Sequence, residues 1–169
     1  VVDMAPGSAM GKKYGSTDLA AARISALWQP NDNFDWFLSY ENFTDQGTGH
    51  IPTVTGGSNR SAYIQEPGFN DFVIDSVRTR LNYNFDNGIT VSYIGGYTDS
   101  SRESVWDRSW DQNKYEWGGC VECTHEATQH ELQLKNEDSA RLQWMVGLFY
   151  FKENNSTHFD IVHPDVDYE

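Results

Sequence analysis

Side chains alternate in type with a period of two residues along much of this 169-residue chain. In 141–150, Leu142, Trp144, Val146, Leu148 and Tyr150 occupy every second position, with Arg141, Gln143, Met145, Gly147 and Phe149 between them. A helix, with its period of 3.6, would mix the two sets, whereas a strand sends them to opposite faces. The aromatic and β-branched content also favours a strand. The pattern returns five times. Its apolar members are Ala20, Ala22, Ile24, Ala26 and Trp28 in 20–29, and Phe34, Trp36, Leu38 and Tyr40, ending in Asn42, in 34–43. They are Val77, Thr79, Leu81, Tyr83 and Phe85 in 76–85, and Ile89, Val91, Tyr93, Gly95 and Tyr97 in 89–98. In 128–135 they are Thr128, His130, Leu132 and Leu134.

Charge separates the two sets. None of the apolar members is Asp, Glu, Lys or Arg, whereas the intervening positions hold Arg23, Asp35, Glu41, Arg78, Arg80, Glu131, Lys135 and Arg141. One side of the expected sheet avoids charge and the other accepts it.

The connections alternate too. PNDN (30–33), DNG (86–88) and NEDSA (136–140) are short polar turns, and Asn-Gly is a strong hairpin signal because both residues accept positive φ. The other two connections, 44–75 and 99–127, are long. Structureless loops of that length are uncommon in compact water-soluble domains. Short turns at one end and long loops at the other are the habit of outer-membrane barrels. Strands of about ten residues, tilted about 45°, span the roughly 25 Å apolar band of such barrels. Trp28, Phe34, Trp36, Tyr83 and Phe85 fall near the short-turn end, and Tyr40, Tyr97 and Tyr150 near the long-loop end, as two interfacial girdles would.

Composition narrows the field. Aromatic residues make up 14% of the chain, which argues against disorder. A formal net charge of -13 leaves nothing to neutralise phosphates, so nucleic acid is not an expected partner. Mean hydropathy is -0.65 and no stretch approaches 18 consecutive apolar residues, which excludes a transmembrane helix but not a β-barrel. The N-terminal VVDMAPGSAMGKKYG lacks the apolar core of a signal peptide. The expected fold is all-β: an antiparallel up-and-down meander forming part of a large transmembrane β-barrel, with short periplasmic turns and long extracellular loops. Residues 1–169 are read as a fragment of one barrel domain, with strands near 20–29, 34–43, 76–85, 89–98, 128–135 and 141–152.

Three stretches carry a family resemblance: AARISALWQPNDNFDWFLSYENFTDQGTG (21–49), DSVRTRLNYNFDNGITVSYIGGYTDSS (75–101) and TQHELQLKNEDSARLQWMVGLFYFKEN (128–154). The last is the most specific, with a Gln-x-Glu-Leu-x-Leu strand, a polar turn and a Trp-x-Val-Gly-Leu-Phe-Tyr strand. The chain resembles part of the barrel of a TonB-dependent outer-membrane receptor. It departs from the family pattern at Gln133, where Arg is common, and its six segments are a fraction of the family's roughly 22 strands. The plug domain and the motif that contacts TonB are missing from it. The resemblance implies a bacterial outer-membrane location with extracellular loops, outer-membrane lipid around the barrel, and TonB as a partner through the missing N-terminal part. It implies import of a scarce solute such as a ferric siderophore, haem, cobalamin or an oligosaccharide. No cofactor is implied.

The stretch 100–126 is the most unusual. It places Trp106, Trp110, Tyr115 and Trp117 among Asp107, Arg108, Asp111 and Lys114. Aromatic faces with interspersed hydrogen-bonding groups suit a siderophore or a sugar ring, and Trp106, Asp107, Arg108, Trp110, Asp111, Tyr115 and Trp117 are the ligand-binding candidates. The competing reading is a loop folded on its own aromatic side chains. Cys120 and Cys123 form C-V-E-C, open to a disulfide, a metal site or free thiols. A zinc site needs further ligands, and only His125 and His130 are close in sequence, so no metal site is expected. Maturation through an oxidising periplasm, which the resemblance implies, favours a local disulfide. His50, His158 and His163 read as solvated loop residues, and the sequons at Asn42, Asn59, Asn154 and Asn155 as chance matches. With no nucleophile–base pair and no phosphate-binding loop, the chain is not expected to be an enzyme.

Two other architectures share the alternation. A secreted, carbohydrate-binding β-sandwich would bury the uncharged face against a second sheet. A small complete membrane barrel with a structural or adhesive role would need about eight strands, with two more hidden near 51–55 and 159–163.

Overall fold

The computed structural model describes residues 3–4, 16–48, 61–62, 68–108, 116–136 and 141–162. All regular structure in these residues is β. The strands are β1 (Asp3–Met4), β2 (Leu19–Asn31), β3 (Phe34–Asp45), β4 (Ser61–Ala62), β5 (Phe69–Asn84), β6 (Ile89–Asp107), β7 (Trp117–Asn136) and β8 (Met145–Val162). β1 and β4 form a two-residue parallel pair. The other six form one open antiparallel sheet in the order β2-β3-β5-β6-β7-β8, so every strand pairs with its neighbour in the meander.

The register lines up the alternating segments. Directly paired residues share a face. Trp28, Trp36, Leu81, Tyr93, Leu132 and Leu148 form one row across all six strands. Ala26, Leu38, Thr79, Gly95, His130 and Tyr150 form the next, followed by Ile24, Tyr40, Val77, Tyr97, Thr128 and Lys152. Lys152, just past the last expected apolar position, is the first charge on this face. The same face then turns acidic, with Asp75, Asp99 and Glu126 adjacent on three strands. There the Tyr40 hydroxyl donates to Asp75 Oδ1 at 2.5 Å and Asn42 Nδ2 donates to the same oxygen at 3.0 Å.

The two faces are exposed in the reverse of the order water would impose. The contrast is clearest in the inner strand β3, where Trp36, Leu38 and Tyr40 on the apolar face are exposed and Ser39 between them is buried, whereas the edge strands β2 and β8 are exposed on both faces. The buried side chains in the body of the sheet are Ser39, Ser76 and Ser92, all on the polar face. That face is held by cross-strand hydrogen bonds. Ser25 and Ser39 hydroxyls meet at 2.9 Å, Ser92 donates to Asn82 Oδ1 at 2.7 Å, and Asn82 Nδ2 donates to Asp35 Oδ1 at 2.9 Å. Arg23 bonds Glu41 at 2.6 Å, and Arg80 lies over the Phe37 ring at 6.0 Å. The apolar face is joined by ring contacts instead. Trp28 meets Phe34 edge-on at 5.7 Å, and His130 stacks between Tyr93 and Tyr150 while bonding the Tyr93 hydroxyl at 2.7 Å.

Several expected boundaries move. Residues 99–127, expected to be one long loop, belong mostly to the β6–β7 hairpin, and the stretch between these strands is only 108–116. The first residues past the apolar band are polar on both faces, so hydropathy alternation stops there although the backbone ladder continues. The expected loop 44–75 shortens in the same way, because β3 runs to Asp45 and β5 starts at Phe69. β8 begins at Met145 and not at Arg141, because the Asn136 side chain takes the hydrogen-bonding groups of the preceding residues. Asn136 Nδ2 donates to the Leu142 carbonyl at 2.6 Å, and the Trp144 N–H donates to Asn136 Oδ1 at 2.8 Å. β8 also runs ten residues past its expected end at 152, so 159–162 continues it and supplies no extra strand. Residues 51–55 lie outside the described residues. The DNG turn forms as expected, with Gly88 at φ 77°.

Candidate functional site

The strands β6, β7 and β8 rise past the acidic row, with β5 still paired to β6 as far as Val105, and only β6, β7 and β8 continue beyond it to the tip. Its register differs from the sheet below. Arg102 pairs with Cys123 and Ser104 with Cys120, so Glu103 alone faces two residues of β7. On the other side, Cys120 pairs with Phe159 and Glu122 with His158, leaving Val121 in excess. This is a one-residue β-bulge in β7 against both neighbours.

The bulge reverses facing along β7. Below it, odd-numbered residues such as Cys123 share the polar face with Arg102 and Thr157; above it, Cys120 shares that face with Ser104 and Phe159. A disulfide joins Cys120 and Cys123 across the bulge, with Cα atoms 5.9 Å apart. Gly119 permits this geometry: a Cβ there would lie 2.1 Å from the Ser104 carbonyl oxygen. Ser104 is 2% exposed, and its hydroxyl has no hydrogen-bond partner among the described residues.

The tip brings some of the ligand-binding candidates together and separates others. Trp106 pairs with Gly118 on the polar face and packs on the Phe159 ring at 5.3 Å. Asp107 pairs with Trp117 on the other face, so the two tryptophans do not form one wall. Asp107 is fully buried, and so belongs to the packing of the tip itself. Trp106, Arg108 and Trp117 are partly exposed and open to a ligand. The Arg108 N–H donates to the Glu116 carbonyl at 2.8 Å, which closes the ladder at the tip. Trp110, Asp111 and Tyr115 lie outside the described residues, as do His50, Asn59 and His163.

Phe159, Ser104 and Gly119 were not singled out by sequence reasoning. Gly118-Gly119 beside a C-x-x-C was the available signal. On the polar face below the tip, His125 Nε2 lies 3.3 Å from Glu153 Oε1. His158 Nε2 lies 3.4 Å from Asp160 Oδ1. His158 is thus within a strand and not in a loop; the sequons at Asn42, Asn154 and Asn155 also lie in strands. Among the described residues no three His, Cys, Asp or Glu side chains are grouped to hold a metal ion. A groove of about 290 Å³ opens mid-sheet on the polar face, lined by Arg78, Gly96, Gln129 and Phe151 among others.

Compared with known proteins, the chain matches no family model, no curated protein and no solved structure.

Proposed function

We propose that this chain supplies six strands of the barrel of a TonB-dependent outer-membrane receptor, which binds a scarce solute at its outer tips and imports it without breaking a bond in it. The observation that carries the reading is the inverted burial in the inner strands: Trp36, Leu38, Tyr40, Val77 and Leu132 on the uncharged face are exposed, and Ser39, Ser76 and Ser92 on the other are buried. Contiguous exposed apolar surface of this extent demands a nonaqueous neighbour. Lipid is the neighbour that also explains the ring-rich ends of the band and the abrupt acidic row beyond it.

The open edges favour a large barrel over a small one. In lipid every backbone polar group needs a partner within the protein. Among the described residues β2 and β8 each bond a neighbour on one side only, and a barrel with more strands than these six would satisfy both edges. In this assignment Trp28, Trp36, Leu81, Leu132, Val146 and Leu148 face lipid, and Arg78, Arg80, Gln129 and Glu131 face the lumen. The β6–β7–β8 tip lies outside the membrane, where Trp106, Arg108 and Trp117 contact the solute. Ferric siderophores, haem, cobalamin and oligosaccharides all suit an aromatic, hydrogen-bonding tip of this kind.

The test is the mass of the intact protein in native outer membranes, read with peptide mapping. The reading requires a species much larger than 19.3 kDa, with peptides continuing past both ends of this sequence. A 19.3 kDa species in the soluble fraction would contradict it and favour a secreted sandwich.

A further inference from the structure

Cys120 and Cys123 are three residues apart in one strand, yet they are bonded. In a regular strand, residues i and i+3 point to opposite faces, and no disulfide can join them. The extra residue, Val121, resolves this by restoring both cysteines to one face. The disulfide therefore requires the bulge: an unbulged β7 would turn the two sulfurs apart.

The bulge carries costs of its own. Val121 has no ladder partner on either side. The close approach of β7 to β6 leaves room only for a glycine at 119, where a Cβ would lie 2.1 Å from the Ser104 carbonyl oxygen, and the Ser104 hydroxyl is buried with no partner among the described residues. A regular register is available to the same residues. Sliding 117–120 by one position would place Cys120 opposite Val105, Gly119 opposite Trp106 and Trp117 opposite Arg108. Trp117 would then move to the face that carries Trp106 and Phe159.

We propose that the Cys120–Cys123 disulfide is a redox-sensitive register lock, which holds the bulge and so fixes the face that Trp117 presents at the tip. Its reduction is an ordinary thiol–disulfide exchange with a dithiol reductant. A thiolate of the reductant attacks the sulfur of Cys123, the more exposed of the pair, and Cys120 leaves as a thiolate that takes up a proton. The second thiol of the reductant then attacks the mixed disulfide and releases Cys123. Two electrons pass to the protein and the reductant departs as its own disulfide. With the bond gone, the bulge is free to relax. The inference rests on register and holds whether or not the apolar face meets lipid.

Hydrogen exchange read by mass spectrometry tests it on the full protein, in the assembly in which it is isolated, with and without a dithiol. Amides of 117–122 are expected to exchange about tenfold faster after reduction, as for a locally released segment, while those of 124–135 keep their rates. Reoxidation should restore protection. Deletion of Val121 provides the second arm. It makes the cysteines i and i+2 neighbours, which share a face without a bulge, so exchange at the tip should no longer respond to the reductant. Equal exchange of 117–122 in the oxidised and reduced native chain would overturn the proposal. So would a deletion variant that responds to the reductant as the native chain does.

Discussion

The two faces of the sheet use different means of cohesion. On one, Ser25, Ser39, Asn82 and Ser92 join strands through hydrogen bonds between short side chains, several of them buried. On the other, Trp28, Phe34, Tyr93, His130 and Tyr150 meet ring to ring, with Trp28, His130 and Tyr150 exposed and Phe34 and Tyr93 half-buried. A water-soluble sheet would assign the rings to the covered face and the serines to the open one. The reversal is the observation on which the proposed lipid-facing assignment rests, and an apolar medium against the ring-bearing face is what that assignment requires.

Substitutions can break this contrast. Val146→Arg puts a charge in the middle of the apolar face and should cost about 2–4 kcal/mol in a lipid-embedded barrel. Gln133→Arg, one strand away on the polar face, should be nearly neutral. Urea titration of both variants in lipid vesicles gives the comparison, and equal effects would refute the assignment of faces. Gly119→Ala tests where the facing along β7 reverses. The added Cβ must displace the Ser104 carbonyl, 2.1 Å away, at a cost of about 1–3 kcal/mol by the usual scale of overpacking. The damage should be confined to the tip, and hydrogen exchange would show it there and not in 124–135.

Smaller effects sharpen the picture. The Trp36 indole N–H donates to Thr79 Oγ1 at 2.8 Å, a polar bond inside the apolar band. Trp36→Phe keeps an aromatic ring and removes that donor, so the same titration should show a loss of about 0.5–1.5 kcal/mol. Arg23→Ala removes the ion pair with Glu41, whose side chains are 58% and 31% exposed. An exposed pair of this kind contributes about 0.2–1 kcal/mol, and a double-mutant cycle with Glu41→Ala should give a coupling within that range that shrinks in high salt.

The sheet's faces were legible from the sequence because they follow from side-chain period alone. Of the apolar set from Ala20 to Tyr150, the residues that lie within β2, β3, β5, β6, β7 and β8 fall on one side and their rows match across strands, while Phe85, Leu142 and Trp144 lie just outside the strands. The strand ends were not legible, for an identifiable reason. From Asp99 to Glu103 both faces of β6 carry Asp, Ser, Arg or Glu, so hydropathy no longer alternates, while pairing is maintained by the backbones of β5 and β7. The false start of β8 at Arg141 arose because alternation cannot register a side chain such as Asn136 competing for backbone groups.

The tip was half legible. Its aromatic and charged content marked Trp106, Arg108 and Trp117, but not the division of the two tryptophans between faces. That division depends on one surplus residue, Val121, which becomes visible only when the lengths of three neighbouring strands are compared. The burial of Asp107 was not legible, because burial of a carboxylate at a hairpin end leaves no trace in composition.

The most direct test of the account is photolabelling of native membranes with a carbene precursor dissolved in the lipid, followed by peptide mapping. The account predicts label on Leu132, Val146 and Leu148 and none on Gln129, Glu131 and Gln133, so that modification alternates along β7. Equal labelling of both sets, or none in either, would contradict it.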